Sequence, residues 1–331
     1  MEENRKRMLS GIKPTGKITL GNYIGAIKQF VTYQDEYEMY IFVANLHALT
    51  LPIDPKELRG NTKDMIAIYL AAGLDPEKVI LFKQSDVHEH AELGYVMACM
   101  SNMGELNRMT QYKDKAKNFS AKESIPTGIF VYPTLMAADT ILYDADYVPV
   151  GVDQKQHVEL TRDLAIKFNS RYSDTFKVPE PLLAKQGAKI YSLSNPERKM
   201  SKSESDKGTI YLLEDLAIIR KKIMSAVTDS ECEVKFDPAN KPGVSNLLTI
   251  ESCLSGVSIE ELENKYKGKN YGEFKKSVAD VVCEEIEKIQ NKVKEIQSSG
   301  VIERILEEGA MKASYVARKK LSKVYRKMGI N

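Results

Sequence analysis

Two short strand-like stretches, the apolar run MYIFVA (Met39 to Ala44) and VILFKQS (Val79 to Ser85), do most to restrict the fold of this chain. Runs of that length, bounded by turn residues and without polar alternation, are the pattern of strands buried on both faces. Between them, IDPKEL opens a helix with Asp54 at the N-cap and Pro55 at the first helical position. That helix carries Met65, Ile66, Ile68, Tyr69 and Leu70 and stops at Gly73. Upstream, Ile24, Ile27, Phe30 and Val31 share one helical face. The first third therefore reads as strand, helix, strand, helix, strand. Such a βαβ series requires a parallel sheet with helices on its faces.

The middle of the chain is more helical. His90 to Lys117 and Pro133 to Tyr143 have helical spacing, Tyr147 to Gly151 reads as a short strand, and Asp153 to Asn169 as an amphipathic helix. Lys189 to Leu193 is the expected last strand. A polar loop, SLSNPERKMSKSESDKG, then marks a domain boundary near residue 204, and beyond it strand signals nearly vanish. The fold class expected is α/β, a Rossmann-like nucleotide-binding parallel sheet with a C-terminal all-helical domain. The final helix, Met311 to Met328, is basic, but its apolar stripe of Val316, Leu321 and Val324 should fold back on the first domain.

Composition sets limits. With 331 residues, two domains are expected, and 43% apolar residues supply a sizeable core. A net charge of +2 permits nucleic-acid binding without arguing for it. Cys99, Cys232, Cys253 and Cys283 are scattered, as expected of reduced thiols. The start, MEENRKRMLSG, has charge but no apolar stretch, and no run approaches the roughly 18 residues of a spanning helix. A soluble, cytoplasmic protein with no membrane partner is expected. His88 and His90 are a weak metal pair without a nearby cysteine, and no protein-held metal is expected.

Two polar stretches carry the chemistry. In KPTGKITLGN (Lys13 to Asn22), Pro14, Gly16 and Gly21 keep the backbone open at the start of a helix, where free N–H groups favour anions. Thr19 and Asn22, three apart, can reach one group. Taken alone, the stretch is also an ordinary capped helix. In RKMSKSESDKG, Lys199 and Lys202 are flexible point charges suited to phosphates that leave. Alone, that stretch is equally a solvated surface. Asp139 sits among Met136, Ala137, Ala138, Ile141 and Leu142, where a carboxylate is costly unless paired.

KMSKS (Lys199 to Ser203) matches the second signature of the class I aminoacyl-tRNA synthetases, and TLGN (Thr19 to Asn22) resembles a divergent form of the first. With NLHALT, GELNRMTQYKDK, YPTLMAADTILYDADYVPVGVDQKQHVELTRDLA, SAVTDS and KPGVSNLL, nearly the whole chain is similar to the bacterial tryptophanyl-tRNA synthetases. The resemblance implies activation of L-tryptophan with ATP and Mg²⁺, then transfer to tRNA(Trp). It implies that Lys13, Pro14, Thr15, Thr19, Gly21 and Asn22 receive ATP. Gly151, Val152 and Asp153 would lie near its ribose and Ile190 near its adenine. Lys115, Lys199 and Lys202 would grip the pyrophosphate in a loop completed by Met200, Ser201 and Ser203. Asp139 would accept the indole N–H, Met136, Val148, Val150 and Leu9 would line the ring, Tyr132 and Gln154 would hold the amino-acid end, and His47 would close a wall. From periodicity alone Met136, Val148 and Val150 are equally core residues.

The resemblance further implies a homodimer. Its domains would be 1–203, with an insertion at 85–132 at the dimer interface, then 204–310 reading the anticodon, then a helix at 311–331. Lys13, Asn45 and Val152 depart from commoner residues of the family: Gln at the first position and acidic residues at the other two. A tyrosine-specific enzyme and a non-catalytic RNA-binding or sensor relative are the alternatives. MAAD followed by VPVGVDQ favours tryptophan, and Lys199 and Lys202 favour catalysis.

Overall fold

The computed structural model describes residues 5–117, 119, 124–151, 154–183, 189–200 and 207–330. Strand β1 (Arg7–Ile12) leads through a turn at Gly16, whose φ is +69°, to helix α1 (Leu20–Asn22). A π-helical turn, Tyr23–Ile27, follows and passes into α2 (Lys28–Tyr33). The sequence spacing anticipates one regular helix there. Ile24, Ile27 and Phe30 are indeed buried, but Val31 is only half-buried. Next come β2 (Glu38–Val43), the short α3 (Asn45–Ala48) and α4 (Pro55–Ala71). Asp54 caps α4 by accepting the N–H groups of Lys56 and Glu57 at 2.8 and 3.0 Å.

Beyond β3 (Val79–Lys83), the single helix expected over His90–Lys117 is three: α5 (Glu89–Met100), α6 (Met103–Asn107) and α7 (Thr110–Ala116). Ser101, Asn102 and Met109 are extended and interrupt it, and Glu105 accepts from both the backbone and amide of Asn102 at 2.9 Å, which restarts the chain as α6. Helix α8 (Thr127–Ile141) starts well before Pro133 and contains it. After β4 (Tyr147–Val150), α9 (Lys155–Tyr172) ends at Ser173, with φ +101°.

The last strand is β5 (Glu180–Leu183), and the expected strand Lys189–Leu193 is instead irregular, with an isolated antiparallel bridge from Tyr191 to Lys199. Pro179 and Pro181 obscure β5 in the sequence. They are tolerated because β5 lies at an edge, where a missing N–H is no loss.

The sheet is wholly parallel, in the order β3-β2-β1-β4-β5, with Leu9 beside Tyr40 and Met8 beside Tyr147. Successive side chains feed two cores. Met8, Met39, Ile41, Val43, Val79 and Leu81 face one cluster. Leu9, Tyr40, Phe42 and Phe82 face the other. Strand order reverses between β1 and β4, so the crevice at their carboxyl ends is where such a sheet binds ligands.

The rest is helical: α10 (Leu216–Met224), α11 (Pro242–Ser255), α12 (Ile259–Tyr266), α13 (Tyr271–Ser299) and α14 (Val301–Met328). Helix α13 packs on α4, α10 and α11, and α14 packs on β3 and α5. The terminal helix begins at Val301 rather than Met311. Its Ile302, Ile305 and Leu306 belong to one core, while Ala313, Ala317, Leu321 and Val324 belong to the other. It thus passes across the edge strand β3 and covers it, which removes an exposed sheet edge. Among the described residues, no helix is long and apolar enough to cross a membrane.

The crossing is made at Gly309. A Cβ there would lie 1.9 Å from the Leu81 carbonyl oxygen. Gly309→Ala should therefore cost about 1–3 kcal/mol through overpacking. Gly60→Ala, in α4 with nothing within 4 Å, should gain up to about 1 kcal/mol of helix propensity. Urea unfolding midpoints should move in opposite directions; equal midpoints would contradict this packing of α14.

Candidate functional site

Residues 13–22 leave the carboxyl end of β1 and enter α1. Thr19 is fully buried and caps the helix. Its hydroxyl accepts the Asn22 N–H at 3.2 Å, and Asn22 Oδ1 accepts the Thr19 N–H at 3.2 Å. The stretch is stitched to residues beyond the KMSKS loop: Leu20 N–H donates to Ile210 and Leu212 N–H to Ile18, at 2.9 and 3.0 Å. A Cβ on Gly21 would lie 3.4 Å from Met200, which is buried and bonds through its N–H to Ile190 at 2.9 Å. The two signature stretches, far apart in sequence, therefore meet at Gly21 and Met200. Ile190 is buried and Lys199 is exposed. Ser201, Lys202 and Ser203 lie outside the described residues, as do Val152 and Asp153. Gly151, at the end of β4, accepts the Gln154 N–H at 3.0 Å.

Lys13 and Pro14 follow β1, Pro14 buried and Thr15 partly so. The Lys13 ammonium donates to Thr50 Oγ1 at 3.3 Å, and burial together with the Lys115 charge pulls its pKa down to about 8. Burial also lowers the pKa of Lys115, whose ammonium stands 4.2 Å from the centre of the Tyr132 ring. The Tyr132 hydroxyl meets His157 Nε2 at 2.8 Å, and burial raises its pKa. Tyr132 also packs edge-on against His47, with ring centres 6.2 Å apart.

His47 leads to the centre of the site. Asp139 is 1% exposed, and His47 Nε2 donates to its Oδ2 at 2.7 Å. Two further N–H groups reach Oδ1, from His90 Nδ1 at 2.6 Å and Gln84 Nε2 at 2.7 Å. Gln84 is oriented by accepting the Leu46 N–H at 3.1 Å, and His90 Nε2 meets the Tyr143 hydroxyl at 2.7 Å. Burial pushes the Asp139 pKa up, but the charge of His47 and the hydrogen bonds from His47 and His90 outweigh it and hold the carboxyl at about 2. Thr50 joins the two halves of the site: its hydroxyl donates to the His47 carbonyl at 2.9 Å and accepts from Lys13.

Val148 and Val150 form a small apolar cluster with Val158. Leu9 lies in the core beside Tyr40 and Phe42, and Met136 is half-buried on α8. In turn, Gln84, His90 and Tyr143 escape sequence reasoning. The HEH pair raises only the metal question, and among the described residues no group of three His, Cys, Asp or Glu could hold a metal. The available signals were a polar Gln at the end of an apolar strand and a tyrosine one helical turn after Asp139.

A family model for class I tRNA synthetases (W and Y) matches residues 1–287. The chain belongs to that family. The tryptophan–tRNA ligase of Bacillus subtilis is 52% identical over 327 residues, 98% of each chain. That of Caldanaerobacter subterraneus is 51% identical over 326 residues, again 98% of each. The tryptophanyl-tRNA synthetase of Mycoplasma pneumoniae superposes with a TM-score of 0.91 at 37% identity, covering 99% of this chain and 98% of that one. That of Campylobacter jejuni, solved with ADP and tryptophan, gives 0.83 at 36%, covering 98% and 99%. Within the family, this chain stands with the bacterial tryptophan–tRNA ligases.

The depressed Asp139 pKa has a sign that can be tested. Because about 2 lies below the value near 3.9 of an unfolded aspartate, the linked stability is complete above pH ~4 and is lost as pH falls through ~2. Its size is about 2 kcal/mol. Asp139→Asn should be less stable at pH 7, and the gap in urea unfolding should shrink by about that amount between pH 4 and pH 2. A gap independent of pH would contradict the ionised, caged carboxylate.

Proposed function

We infer that this chain joins tryptophan to tRNA(Trp) in two steps. In the first, a carboxylate oxygen of tryptophan attacks the α-phosphorus of ATP. The bond to the β-phosphate oxygen breaks, and pyrophosphate leaves. In the second, a hydroxyl of the 3′-terminal ribose of the tRNA attacks the activated carbonyl, and AMP leaves with the bonding electrons. Neither step needs a protein nucleophile, so the work is positioning and charge neutralisation.

The observation that carries this reading is the buried, ionised Asp139 beneath the ligand-binding end of the sheet, linked through His47 and Thr50 to Lys13. An indole nitrogen can only donate, and a carboxylate is its fitting partner. Met136, Val148, Val150 and Leu9 would line the ring, and Tyr132 and Gln154 would hold its polar end. Lys13, Pro14, Thr15, Thr19, Gly21, Asn22 and Gly151 would cradle ATP, with Val152 and Asp153 at the ribose, Ile190 near the adenine and Met200 in the lysine loop. ATP would bring Mg²⁺ on its phosphates. Lys115, Lys199 and Lys202, with Ser201 and Ser203, would take up the charge that develops on pyrophosphate. The effect of the Lys115 charge on Lys13 is in keeping with a shared cationic site.

The catalytic body would be 1–203 and the anticodon-reading module 204–310, with the basic part of α14, 311–331, returning to the catalytic body. The segment 85–132 would form a homodimer interface, in keeping with Tyr95 and Met103, each 74% exposed. The proposed compartment is the cytoplasm.

Exchange of labelled pyrophosphate into ATP, run with each of the twenty amino acids, tests the activity. Exchange with tryptophan alone is expected; exchange with tyrosine would overturn the specificity, and none at all would favour a non-catalytic relative. Lys202→Ala should slow adenylate formation by about 10²-fold or more while leaving tryptophan affinity nearly unchanged. An equal loss in both would remove Lys202 from the leaving-group role.

A further inference from the structure

The hydrogen bonds around Asp139 leave it with little acceptor capacity. An ionised carboxylate offers about four lone-pair positions, two on each oxygen. On Oδ1 both are taken, by His90 Nδ1 at 2.6 Å and Gln84 Nε2 at 2.7 Å. On Oδ2 one is taken, by His47 Nε2 at 2.7 Å. One position is left.

The donors are themselves held in order. Since the carboxylate only accepts, Nδ1 of His90 must carry its hydrogen. In the neutral ring, Nε2 is then an acceptor, and the Tyr143 hydroxyl, 2.7 Å away, donates to it. His90 and Tyr143 are both fully buried, and the His90 ring packs against Phe42, Phe82 and Tyr143 at 5.4–5.9 Å between centres. Rotation of the ring is blocked, and its polarity runs one way, from hydroxyl to imidazole to carboxylate.

We propose that His90 is a positioning residue for amino-acid specificity: backed by Tyr143 and joined by Gln84, it saturates Oδ1 and leaves a single acceptor position, on Oδ2 beside His47, for one N–H of the substrate. The inference rests on the reading of Asp139 as acceptor of the indole N–H. A carboxylate free to rotate or to accept elsewhere would satisfy itself without the substrate. Confined in this way, its last position is filled only by a ligand that donates from the right edge of a flat ring. An amino acid without that N–H leaves it unpaired, which is the basis of strong rejection without editing.

The probe is β-(benzothiophen-3-yl)alanine, in which sulfur replaces the indole N–H at nearly constant shape. The readout is the ratio of kcat/KM for tryptophan to that for the probe, in pyrophosphate exchange. His90→Gln keeps a polar group near Tyr143 but removes the His90 donor to Oδ1, leaving Gln84 alone there. It should lower the ratio at least tenfold, chiefly by raising the tryptophan KM, with the ATP KM unchanged. His90→Asn places an amide N–H near the Nδ1 position and should restore part of the ratio. Tyr143→Phe leaves the carboxylate's direct donors in place, frees the His90 tautomer, and should lower the ratio several-fold. It serves as well if His90→Gln does not fold.

Asp139→Asn separates the two claims. With Oδ1 facing two donors, its amide nitrogen must replace Oδ2 and present hydrogens to the indole N–H. Loss of discrimination in Asp139→Asn, with folded His90→Gln and Tyr143→Phe unchanged from the parent, would overturn the role of His90 alone. Discrimination retained in Asp139→Asn would overturn the reading of Asp139 and this inference with it.

Discussion

A carboxylate buried to 1% exposure is the constraint around which this end of the molecule is arranged. Left alone, such a charge would take up a proton or unfold its surroundings, since desolvation of an unpaired ion costs many kcal/mol. Three N–H donors prevent that, and they come from three places: His47 on α3, Gln84 after β3 and His90 on α5. Each follows a strand of the parallel sheet. The carboxylate therefore ties together the loops that leave β2 and β3, and α8, which carries it, is fixed against them. The residues that satisfy the charge are themselves enclosed, Gln84 and His90 fully buried and His47 nearly so.

The sheet makes the arrangement possible. Alternating side chains of β1, β2 and β3 feed separate cores, and helices cover both faces. Helix α14 closes the open side by crossing β3, with Gly309 against the Leu81 carbonyl. Arg318 on that helix reaches Glu89, the residue before His90, at 3.0 Å. The C-terminal helix thus touches the same turn that aims His90. On the other face, the Tyr23 hydroxyl in the π-helical turn donates to Glu285 on α13 at 2.6 Å. The helix that carries the first signature is in this way held by the helical region as well as by the sheet.

Much of this was legible before the fold was known. Continuous apolar runs announced β2 and β3, and the Asp54–Pro55 pair announced the start of α4. Asp139 stood out because a carboxylate among alanines and isoleucine needs a reason. Other features had no local signal. Two prolines hid β5, which only its edge position permits. The π-helical turn leaves Ile24, Ile27 and Phe30 buried, so the periodicity looks regular. Expected as one helix, His90 to Lys117 breaks at Ser101–Asn102 and at Met109, where extended backbone and the Glu105 contacts outweigh helical spacing. His90 was visible as one of a pair with His88, but its partner lies 49 residues along the chain, and nothing local says that the ring faces a carboxylate.

The central claim is that the one open acceptor position of Asp139, on Oδ2, receives the substrate's indole N–H. A crystal structure of the protein with bound tryptophan measures this directly. The account requires the indole nitrogen at about 2.7–3.2 Å from Oδ2, with His90 and Gln84 still on Oδ1. An indole nitrogen bonded to another group, or a ring bound away from Asp139, would contradict it.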